Sequence, residues 1–252
     1  MSNIYLFDVD GTLTPAKSKI DTGFKKIFVE WTQGKEAYIV SGGSFVRLID
    51  QLGLDVIEGT AGIFPCMGNI FYQKRDQINE NGYREFDTIY ENKFVSPKNL
   101  KRSLKSIVAK SEFLIKTGNH YEERTGMMNF SVPGRNADKT QRRHYEQWDA
   151  KSHEREAIVQ KLCDIYPTLD FVIGGAVSID IFNKGNDKAQ VIERYFKEAL
   201  EHNQIHFVGD RVLFPGNDYS LAEVLRTHKN GSVYEVERWQ DTAELLKTEP
   251  FA

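Results

Sequence analysis

The sequence predicts an α/β protein whose parallel sheet is interrupted by an inserted α+β domain. Three observations support this fold class. Short apolar runs alternate with helix-like segments in the first third of the chain, closely spaced strand-like runs fill the middle, and the first pattern returns after Gly185. Alternating strands and helices are typical of parallel sheets covered by helices on both faces, whereas consecutive strands favour an antiparallel sheet.

The two outer parts of the chain supply the elements of the parallel sheet. In the first part, apolar runs at residues 4–7 and 37–40 predict strands, and periodic segments at residues 23–32 and 44–52 predict helices. The last part is predicted to contain helices at residues 187–200, 219–226 and 239–246 and strands at residues 205–208 and 232–234.

The middle of the chain is predicted to fold as a separate α+β domain with an antiparallel sheet. The pattern changes near Gly82, so we divide the chain into a core of residues 1–81 and 186–252 and an insertion of residues 82–185. The insertion is predicted to contain a helix at residues 98–111, strands at 113–115, 120–125 and 127–132, a long polar helix at 139–166, and a hairpin of strands at 169–173 and 178–182.

The composition argues against several function classes. A net charge of -3 is unlike a general nucleic-acid binder, which concentrates Lys and Arg. No apolar run approaches the roughly 20 residues of a membrane span, and the N-terminus lacks the pattern of a secretory signal. The two cysteines, Cys66 and Cys163, have no metal-ligand spacing, so a disulfide framework is not expected. The cytosol is therefore the expected location.

Two acids directly after the first apolar run are the sharpest chemical signal. Asp8 and Asp10 belong to the run Phe-Asp-Val-Asp-Gly-Thr-Leu-Thr at residues 7–14. In an open parallel sheet, ligands bind beyond the carboxyl ends of the strands. Acids at i and i+2 of an extended chain point to one side, and Gly11 permits the sharp turn that follows. A solvated acidic turn that caps a helix is the alternative for an isolated motif of this kind.

Two further segments suit the binding of a phosphoryl group. Ser41 and Gly42 follow the second apolar run and supply a hydroxyl and backbone N–H groups at the start of the next helix. At the return to the core, Asp187 is placed to cap a helix and Lys188 to neutralise phosphate charge. Taken alone, each segment also fits an ordinary turn or a surface lysine.

Two more carboxylates, Asp210 and Asp218, follow the strand predicted at residues 205–208. Oxygen ligands in an open site suit Mg²⁺, which keeps several waters and shares its shell with a phosphate. Together with Asp8 they predict a magnesium site beside the first acidic motif.

The four strand-end motifs, in this order, resemble the haloacid dehalogenase superfamily of phosphotransferases. The insertion between the second and third motifs is similar to the C2b type of cap in that superfamily. Within the insertion, the run Arg-Thr-Gly-Met-Met-Asn-Phe-Ser-Val-Pro-Gly-Arg at residues 124–135 is followed by Arg142, by Gly174-Gly175 and by Ser178-Ile-Asp180. These motifs resemble the eukaryotic-type phosphomannomutases across essentially the whole chain.

The resemblance implies a phosphoryl transfer through Asp8, which attacks phosphorus and forms an aspartyl-phosphate. Asp10 is then the general acid and base, and Ser41, the Gly42 amide and Lys188 stabilise the transferring group. Mg²⁺ is expected on the Asp8 and Asp210 carboxylates and the Asp10 backbone carbonyl, with Asp218 assisting.

The resemblance also implies how the sugar phosphate binds. Three cap arginines grip the phosphate that is not transferred, and two cap-strand residues contact the sugar. A hexose 1,6-bisphosphate primes the enzyme, and mannose 1-phosphate and mannose 6-phosphate interconvert. The arginines are Arg124, Arg135 and Arg142, and the sugar contacts are Ser178 and Asp180.

Three positions depart from the family pattern and leave alternatives open. Lys17 stands where the family has arginine at a phosphate contact, Arg211-Val212 replaces a Lys-Thr pair, and residues 214–216 replace a Pro-Gly-Gly run. A sugar-phosphate phosphatase, in which water completes the second half-reaction, is the runner-up, and a catalytically silent phospho-ligand binding module is a third interpretation. A homodimer through the cap is also open, because the apolar residues at 86–104 fit either an interface or the cap core.

Overall fold

The computed structural model describes residues 2–78, 80 and 84–252, which form two compact units. The first unit comprises Met1–Glu91 and Asn186–Ala252, and the second comprises Asn92–Gly185. The boundary that the sequence suggested at Gly82 lies outside the described residues. The first unit extends beyond it to Glu91, because the strand that ends there pairs within the first unit's sheet.

The described part of the chain contains strands in two separate sheets. In chain order the strands are β1 (Asn3–Phe7), β2 (Glu36–Val40), β3 (Gly62–Phe64), β4 (Ile70–Ile78), β5 (Arg84–Glu91), β6 (Tyr121–Arg124), β7 (Met127–Phe130), β8 (Leu169–Gly174), β9 (Ser178–Asn183), β10 (Gln204–Gly209) and β11 (Gly231–Glu235).

The helices lie between these strands, and among the described residues none is long and apolar enough to cross a bilayer. A π-helical segment, Val191–Phe196, runs directly into the seventh α-helix. The α-helices are α1 (Thr22–Trp31), α2 (Phe45–Leu52), α3 (Leu54–Gly59), α4 (Leu100–Lys110), α5 (Lys139–Ser152), α6 (Glu154–Ile165), α7 (Lys197–His202), α8 (Tyr219–Arg226) and α9 (Trp239–Leu245).

The sheet of the first unit has the order β11-β10-β1-β2-β3-β4-β5. Its first five strands are parallel, which confirms the α/β fold class, and β4 and β5 add an antiparallel edge. β1 lies between β2 and β10, so segments near the two ends of the chain become neighbours at the centre of the sheet. The strands β3, β4 and β5 were not predicted from the sequence.

Both faces of this sheet are covered, as expected for parallel strands. Tyr5 and Phe7 of β1 belong to one apolar layer, whereas Ile4 and Leu6 belong to a second layer on the opposite face. All four side chains are nearly or fully buried. The layers alternate because successive side chains of a strand point to opposite faces, and this fixes the register of the central strand.

The second unit contains a four-stranded antiparallel sheet with the order β6-β7-β9-β8. The predicted hairpin is present as β8 and β9, in which Gly174 pairs with Ser178. One face of the sheet belongs to the apolar core of the unit, and the residues that represent it on β7 and β9 are Met128, Phe130, Ile179 and Ile181. The opposite face, called the polar face below, carries the polar side chains of Asn129 and Asp180 beside the apolar pair Met127 and Phe182.

Two predictions for the second unit are wrong. Residues 113–115 form no strand; Phe113 is buried in the core, and the next segment is held by single hydrogen bonds, such as that from Thr117 N to Pro133 O. The helix expected at residues 139–166 is broken at His153, which has a φ of 53°. Asp149 explains the break, because its carboxylate accepts from the backbone N–H of Arg155 at 2.9 Å and so begins a new helix.

A pair of leucine substitutions tests the core of the second unit. Leu104 is fully buried, whereas Leu114 is 91% exposed. We expect Leu104→Ala to lower the free energy of unfolding by about 2–5 kcal/mol, because it leaves a cavity. Leu114→Ala should change it by less than about 0.5 kcal/mol. Urea unfolding followed by circular dichroism measures both, and equal effects of the two changes would contradict this description of the core.

Candidate active site

The carboxyl ends of neighbouring parallel strands bring three predicted acids together. Asp8 follows β1 and Asp210 follows β10, and Phe7 pairs with Val208 at the ends of these adjacent strands. Asp218 lies directly before α8. A carboxylate oxygen from each acid lies within 4.8 Å of the others. The cluster contains three of the residues that the sequence suggested as metal ligands.

Lys188 links two of these acids. Its Nζ donates to Asp8 Oδ1 and to Asp218 Oδ1, each at 2.5 Å, and the lysine side chain is fully buried. A buried charge is strongly unfavourable without a partner, so the ammonium and the two carboxylates depend on each other for their charged states. The structure thus places Lys188 inside the site rather than on the surface.

The pKa values of the cluster reflect burial and crowding of like charges. Burial raises the pKa of Asp8 well above its usual range, Lys188 opposes this, and Asp218 and Asp210 add to it. Burial, followed by repulsion from Asp218, raises the pKa of Asp210 to about 7. Burial lowers the pKa of Lys188, but the carboxylates of Asp218 and Asp8 outweigh it, so the pKa lies above its usual value. The site carries more negative charge than its own lysine neutralises.

The donor set fits a hard divalent cation. Carboxylate oxygens are the ligands that Mg²⁺ prefers, and one lysine leaves part of the negative charge of three acids uncompensated. Arg211 supplies a further cation at the edge of the cluster, with its Nε 3.7 Å from Asp210 Oδ2. Asp8, Asp210 and Asp218 are therefore able to hold a metal ion, while the identity of the ion is a separate question.

Asp10 is fixed by the turn that follows β1 and is not a member of the three-carboxylate cluster. Its Oδ1 accepts from the backbone N–H of Lys17 at 2.6 Å and from Gln51 Nε2 at 2.7 Å. Gln51 also donates to Thr14 Oγ1 at 2.6 Å. These contacts orient the carboxylate, and the assignment of the Asp10 backbone carbonyl to a metal stays a prediction.

The turn itself depends on Gly11. Its φ is 94°, a left-handed conformation that strongly favours glycine. A Cβ atom at this position would overlap the Asp210 carboxylate, so the turn after β1 and the loop after β10 approach each other more closely than a larger residue permits. Lys17, later in the same segment, also has a positive φ of 55°, and its proposed phosphate contact stays a prediction.

The segment with Ser41 and Gly42 is supported by the loop after β3. Ser41 is buried, and its Oγ accepts from the Gly43 backbone N–H at 3.1 Å. The backbone N–H groups of Cys66 and Met67 donate to Gly43 O and Ser41 O, each at 2.9 Å. Both residues have positive φ values, of 53° and 62°, which are unfavourable for side chains of this kind.

Gln190 connects this loop to the segment that carries Lys188. Its Nε2 donates to Met67 O at 2.9 Å and to Asn186 O at 2.8 Å, and the side chain is fully buried. Asp187 accepts from the Ala189 backbone N–H at 2.8 Å, which agrees with the predicted cap. The Ser41 segment and the Lys188 segment are therefore fixed relative to each other within the first unit.

Three of the predicted sugar and phosphate contacts of the second unit lie on the polar face of its sheet. Glu122 of β6 pairs with Asn129 of β7, and Asn129 pairs with Asp180 of β9, so the three form one row across the sheet. Arg124 and Ser178 lie two residues from this row on β6 and β9, and therefore on the same face. Ser178 and Asp180 are each 4% exposed.

Polar contacts connect Arg135 to this row. Arg135 donates from its NH1 nitrogen to Asn129 Oδ1 at 2.8 Å, and Asn129 Nδ2 donates to Asp180 Oδ1 at 2.6 Å. Arg142 lies in the first turn of α5, and its Nε donates to Ala137 O at 3.2 Å. Hydrogen bonds thus connect Arg135 to Asp180 through Asn129.

Sequence reasoning missed four residues that contact the predicted site residues. Two of them, Glu122 and Asn129, had a signal in the sequence. Glu122 lies two residues before Arg124 in a predicted strand, which places both side chains on one face, and Asn129 lies inside the motif at residues 124–135. A glutamine near the end of a helix and another directly before the π-helical segment carried no comparable signal. These two residues are Gln51 and Gln190.

The α/β fold is that of haloacid dehalogenase-like proteins. Three solved structures that share the fold illustrate the similarity. A Plasmodium falciparum IMP-nucleotidase has a TM-score of 0.64 and 15% identity, covering 98% of this chain and 67% of that chain. The C-terminal domain of a C. albicans trehalose-6-phosphate phosphatase (TM-score 0.61, 16% identity) covers 97% and 90%, and a haloacid dehalogenase-like hydrolase from Bacteroides thetaiotaomicron (TM-score 0.56, 14% identity) covers 98% and 99%. At these identities the similarity establishes the fold.

Sequence comparison narrows the class to one family. The model of the family described as "Eukaryotic phosphomannomutase" matches residues 24–249. A phosphomannomutase of Dendrobium officinale is 32% identical over 226 residues, covering 89% of this chain and 86% of the relative. A phosphomannomutase of Encephalitozoon cuniculi is 31% identical over 229 residues, covering 86% and 83%. The chain belongs to the eukaryotic phosphomannomutase family.

A lysine substitution tests the charge balance of the cluster. Lys188→Met leaves Asp8 and Asp218 without their cation, so we expect the free energy of unfolding at neutral pH to fall by about 3–5 kcal/mol in EDTA. Mg²⁺ should restore part of this loss, because a cation bound only by the folded state stabilises it. Urea unfolding with and without Mg²⁺ is the measurement.

The control for this change is Lys19→Met. Lys19 lies 3.4 Å from Asp50, and the side chains are 76% and 75% exposed. An exposed pair of this kind contributes little, so the control should change the stability by less than about 0.5 kcal/mol. A Lys188→Met variant as stable as the control, or one that Mg²⁺ does not stabilise, would contradict the charge balance described above.

Proposed function

We propose that the protein is a hexose-phosphate mutase that interconverts mannose 1-phosphate and mannose 6-phosphate through an aspartyl-phosphate on Asp8. The observation that carries the proposal is the family match over residues 24–249, combined with the buried cluster of Asp8, Lys188, Asp210 and Asp218. We take Mg²⁺ as the metal, since the donors are carboxylate oxygens.

In the first half-reaction, an Asp8 oxygen attacks phosphorus and the bond between phosphorus and the sugar oxygen breaks. Asp10 gives a proton to the departing sugar oxygen. In the second half-reaction, Asp10 removes the proton from the attacking sugar hydroxyl, whose oxygen takes the phosphoryl group and releases Asp8. Gln51 and the Lys17 backbone N–H hold the Asp10 carboxylate during both steps.

Further residues of the first unit lower the barrier by stabilising charge on the phosphoryl group. Lys188 donates from its buried ammonium, and the Ser41 hydroxyl and Gly42 N–H donate from the supported loop after β2. Mg²⁺ bound by Asp8, the Asp10 carbonyl, Asp210 and Asp218 would reduce the repulsion between an anionic nucleophile and an anionic phosphate. Lys17 is proposed as a further phosphate contact.

The polar face of the second unit supplies substrate binding in this proposal. Arg124, Arg135 and Arg142 bind the phosphate that is not transferred, since guanidinium groups match phosphate oxygens in geometry and charge. Ser178 and Asp180 contact the sugar. The monophosphate binds in two orientations, and a hexose 1,6-bisphosphate primes the enzyme.

The wider biological setting is part of the same proposal. The partner is a small sugar phosphate, and we expect neither a nucleic acid nor a membrane as a partner. Cys66 and Cys163 form no disulfide with each other, which supports a location in the cytosol. A homodimer through the second unit is retained from the family resemblance, although Leu100 and Leu104 belong to its core and leave the interface to other residues.

A sugar-phosphate phosphatase is the second candidate, because two fold relatives are named as phosphatase and nucleotidase. Purified protein with Mg²⁺ and mannose 1-phosphate, followed by phosphorus NMR with and without glucose 1,6-bisphosphate, separates the two. We expect mannose 6-phosphate that depends on the bisphosphate. Inorganic phosphate as the main product, with or without the activator, would replace the mutase by a phosphatase, and no magnesium-dependent turnover on a broad panel of sugar phosphates would favour a silent binding module.

The nucleophile is tested by Asp8→Asn. The amide is a poor nucleophile, so we expect turnover and the acid-labile phosphoenzyme to be lost while the circular dichroism spectrum is retained. Asp50→Asn makes the same change on an acid whose side chain is 75% exposed, and it should keep wild-type activity. Substantial activity in a folded Asp8→Asn protein would overturn the assignment.

A further inference from the structure

We propose that Glu122 is a built-in counter-anion of the phosphate-binding arginines, which competes with the substrate phosphate and keeps its binding weak enough for turnover. The inference rests on the proposed function in one respect, namely that Arg124 and Arg135 bind a phosphate. It adds a residue that sets the strength of that binding.

The contacts of Glu122 show the competition directly. Its Oε1 accepts from Arg124 Nε at 3.0 Å, and its Oε2 accepts from Arg124 NH2 at 3.1 Å. Oε2 also lies 2.7 Å from the NH2 nitrogen of Arg135. One carboxylate therefore makes a two-point contact with one guanidinium and pairs with a second.

A phosphate uses the same guanidinium edge. The Nε and NH2 groups of arginine form a planar fork that binds two oxygens of a carboxylate or of a phosphate in parallel. Because Glu122 already engages this fork of Arg124, a phosphate that binds there has to displace the carboxylate or share its donors. Carboxylate and phosphate are alternatives at this position.

The solvent exposure of the side chains indicates that Glu122, rather than an arginine, is able to leave the ion pair. The side chains of Arg124 and Arg135 are 6% and 16% exposed, whereas that of Glu122 is 38% exposed. Arg124 belongs to β6, and Arg135 also donates to Asn129 of β7. The carboxylate reaches water, so its release does not leave a buried charge without a partner.

The net charge of Arg124, Arg135 and Glu122 explains how competition between Glu122 and phosphate helps turnover. Arg124 and Arg135 with Glu122 carry two positive charges and one negative charge. A mutase has to let go of one phosphate and bind the other end of the same sugar, so a site that holds phosphate too strongly slows release. Binding that is equal in the ground state and the transition state does not raise kcat.

The neighbouring acid on the same strand provides a matched control. Glu123 is adjacent in sequence, so its side chain points to the opposite face of β6. It pairs with Lys101 at 2.6 Å, and the two side chains are 60% and 43% exposed. Glu122→Gln and Glu123→Gln therefore change the net charge of the protein equally, but only the first removes the anion beside the arginines.

The first experiment measures phosphate binding without catalysis. Inorganic phosphate is titrated into the full-length protein in EDTA, and the Nε–Hε resonances of Arg124 and Arg135 are followed by NMR. We expect Glu122→Gln to bind phosphate about tenfold more tightly than wild type, because repulsion between two nearby anions is removed. Glu123→Gln should match wild type.

Three results would overturn the inference. The first is a folded Glu122→Gln protein that binds phosphate as weakly as wild type or more weakly, because a residue that only positions the arginines gives that result. An equal gain in Glu123→Gln would assign the effect to net charge alone. An Arg124 Nε–Hε resonance of the wild-type protein that does not move at saturating phosphate would exclude displacement of Glu122, and this readout needs no variant.

Kinetics then separates this inference from the proposed function. With mannose 1-phosphate and the bisphosphate activator, we expect Glu122→Gln to lower both KM and kcat, since tighter binding slows release. A rise in KM would overturn the inference. If the wild-type protein turns over no hexose phosphate, the proposed function fails, whereas the phosphate titration still decides the role of Glu122.

Discussion

The buried ammonium of Lys188 is the contact on which the rest of the first unit's site depends. It lies between Asp8 and Asp218, 2.5 Å from an oxygen of each, in a place without solvent. Each acid comes from a different part of the chain, one after β1 and one before α8. Without the lysine, two carboxylates would be buried together at a large cost in desolvation and repulsion. The lysine therefore makes it possible for acids from distant segments to meet in the folded protein.

The sheet order explains why these segments meet at all. β1 and β10 pair in parallel, although Phe7 and its partner Val208 lie far apart in sequence. The carboxyl ends of both strands lie at the same edge of the sheet. The residues that follow the two strands are therefore neighbours, whatever length of chain connects β1 to β10. In this protein the whole second unit, Asn92–Gly185, is inserted in the sequence between the two parts of the first unit. The acidic site thus needs the topology of the sheet but not the length of the connection.

This topology is also why the fold class and the acidic cluster were predictable from the sequence. Apolar runs followed by acids predicted strand ends at a common edge, and Asp8, Lys188, Asp210 and Asp218 do meet there. The three-residue strand β3 was missed although it is buried, whereas β4 and β5 were missed because their burial is one-sided or absent. Most residues of β4 and β5 are exposed or half-buried, so their sequence shows no apolar run, and Phe113 is apolar because it fills the core rather than because it belongs to a strand. The contact of Gln51 with Asp10 has no local signal, because Gln51 is an ordinary residue of its own helix.

The two units share a principle of charge compensation with opposite signs. In the first unit, the acidic cluster that could bind a metal cation already contains the ammonium of Lys188. In the second unit, the arginine pair that could bind a phosphate already contacts the carboxylate of Glu122. The two compensating groups differ in exposure, and this difference assigns them different roles. Lys188 is fully buried between two carboxylates, so it stays with its acids. Glu122 is 38% exposed and can exchange its partners for water when a phosphate arrives. A permanent counter-charge preserves a site in the folded protein, whereas an exchangeable one regulates how strongly the site holds its ligand.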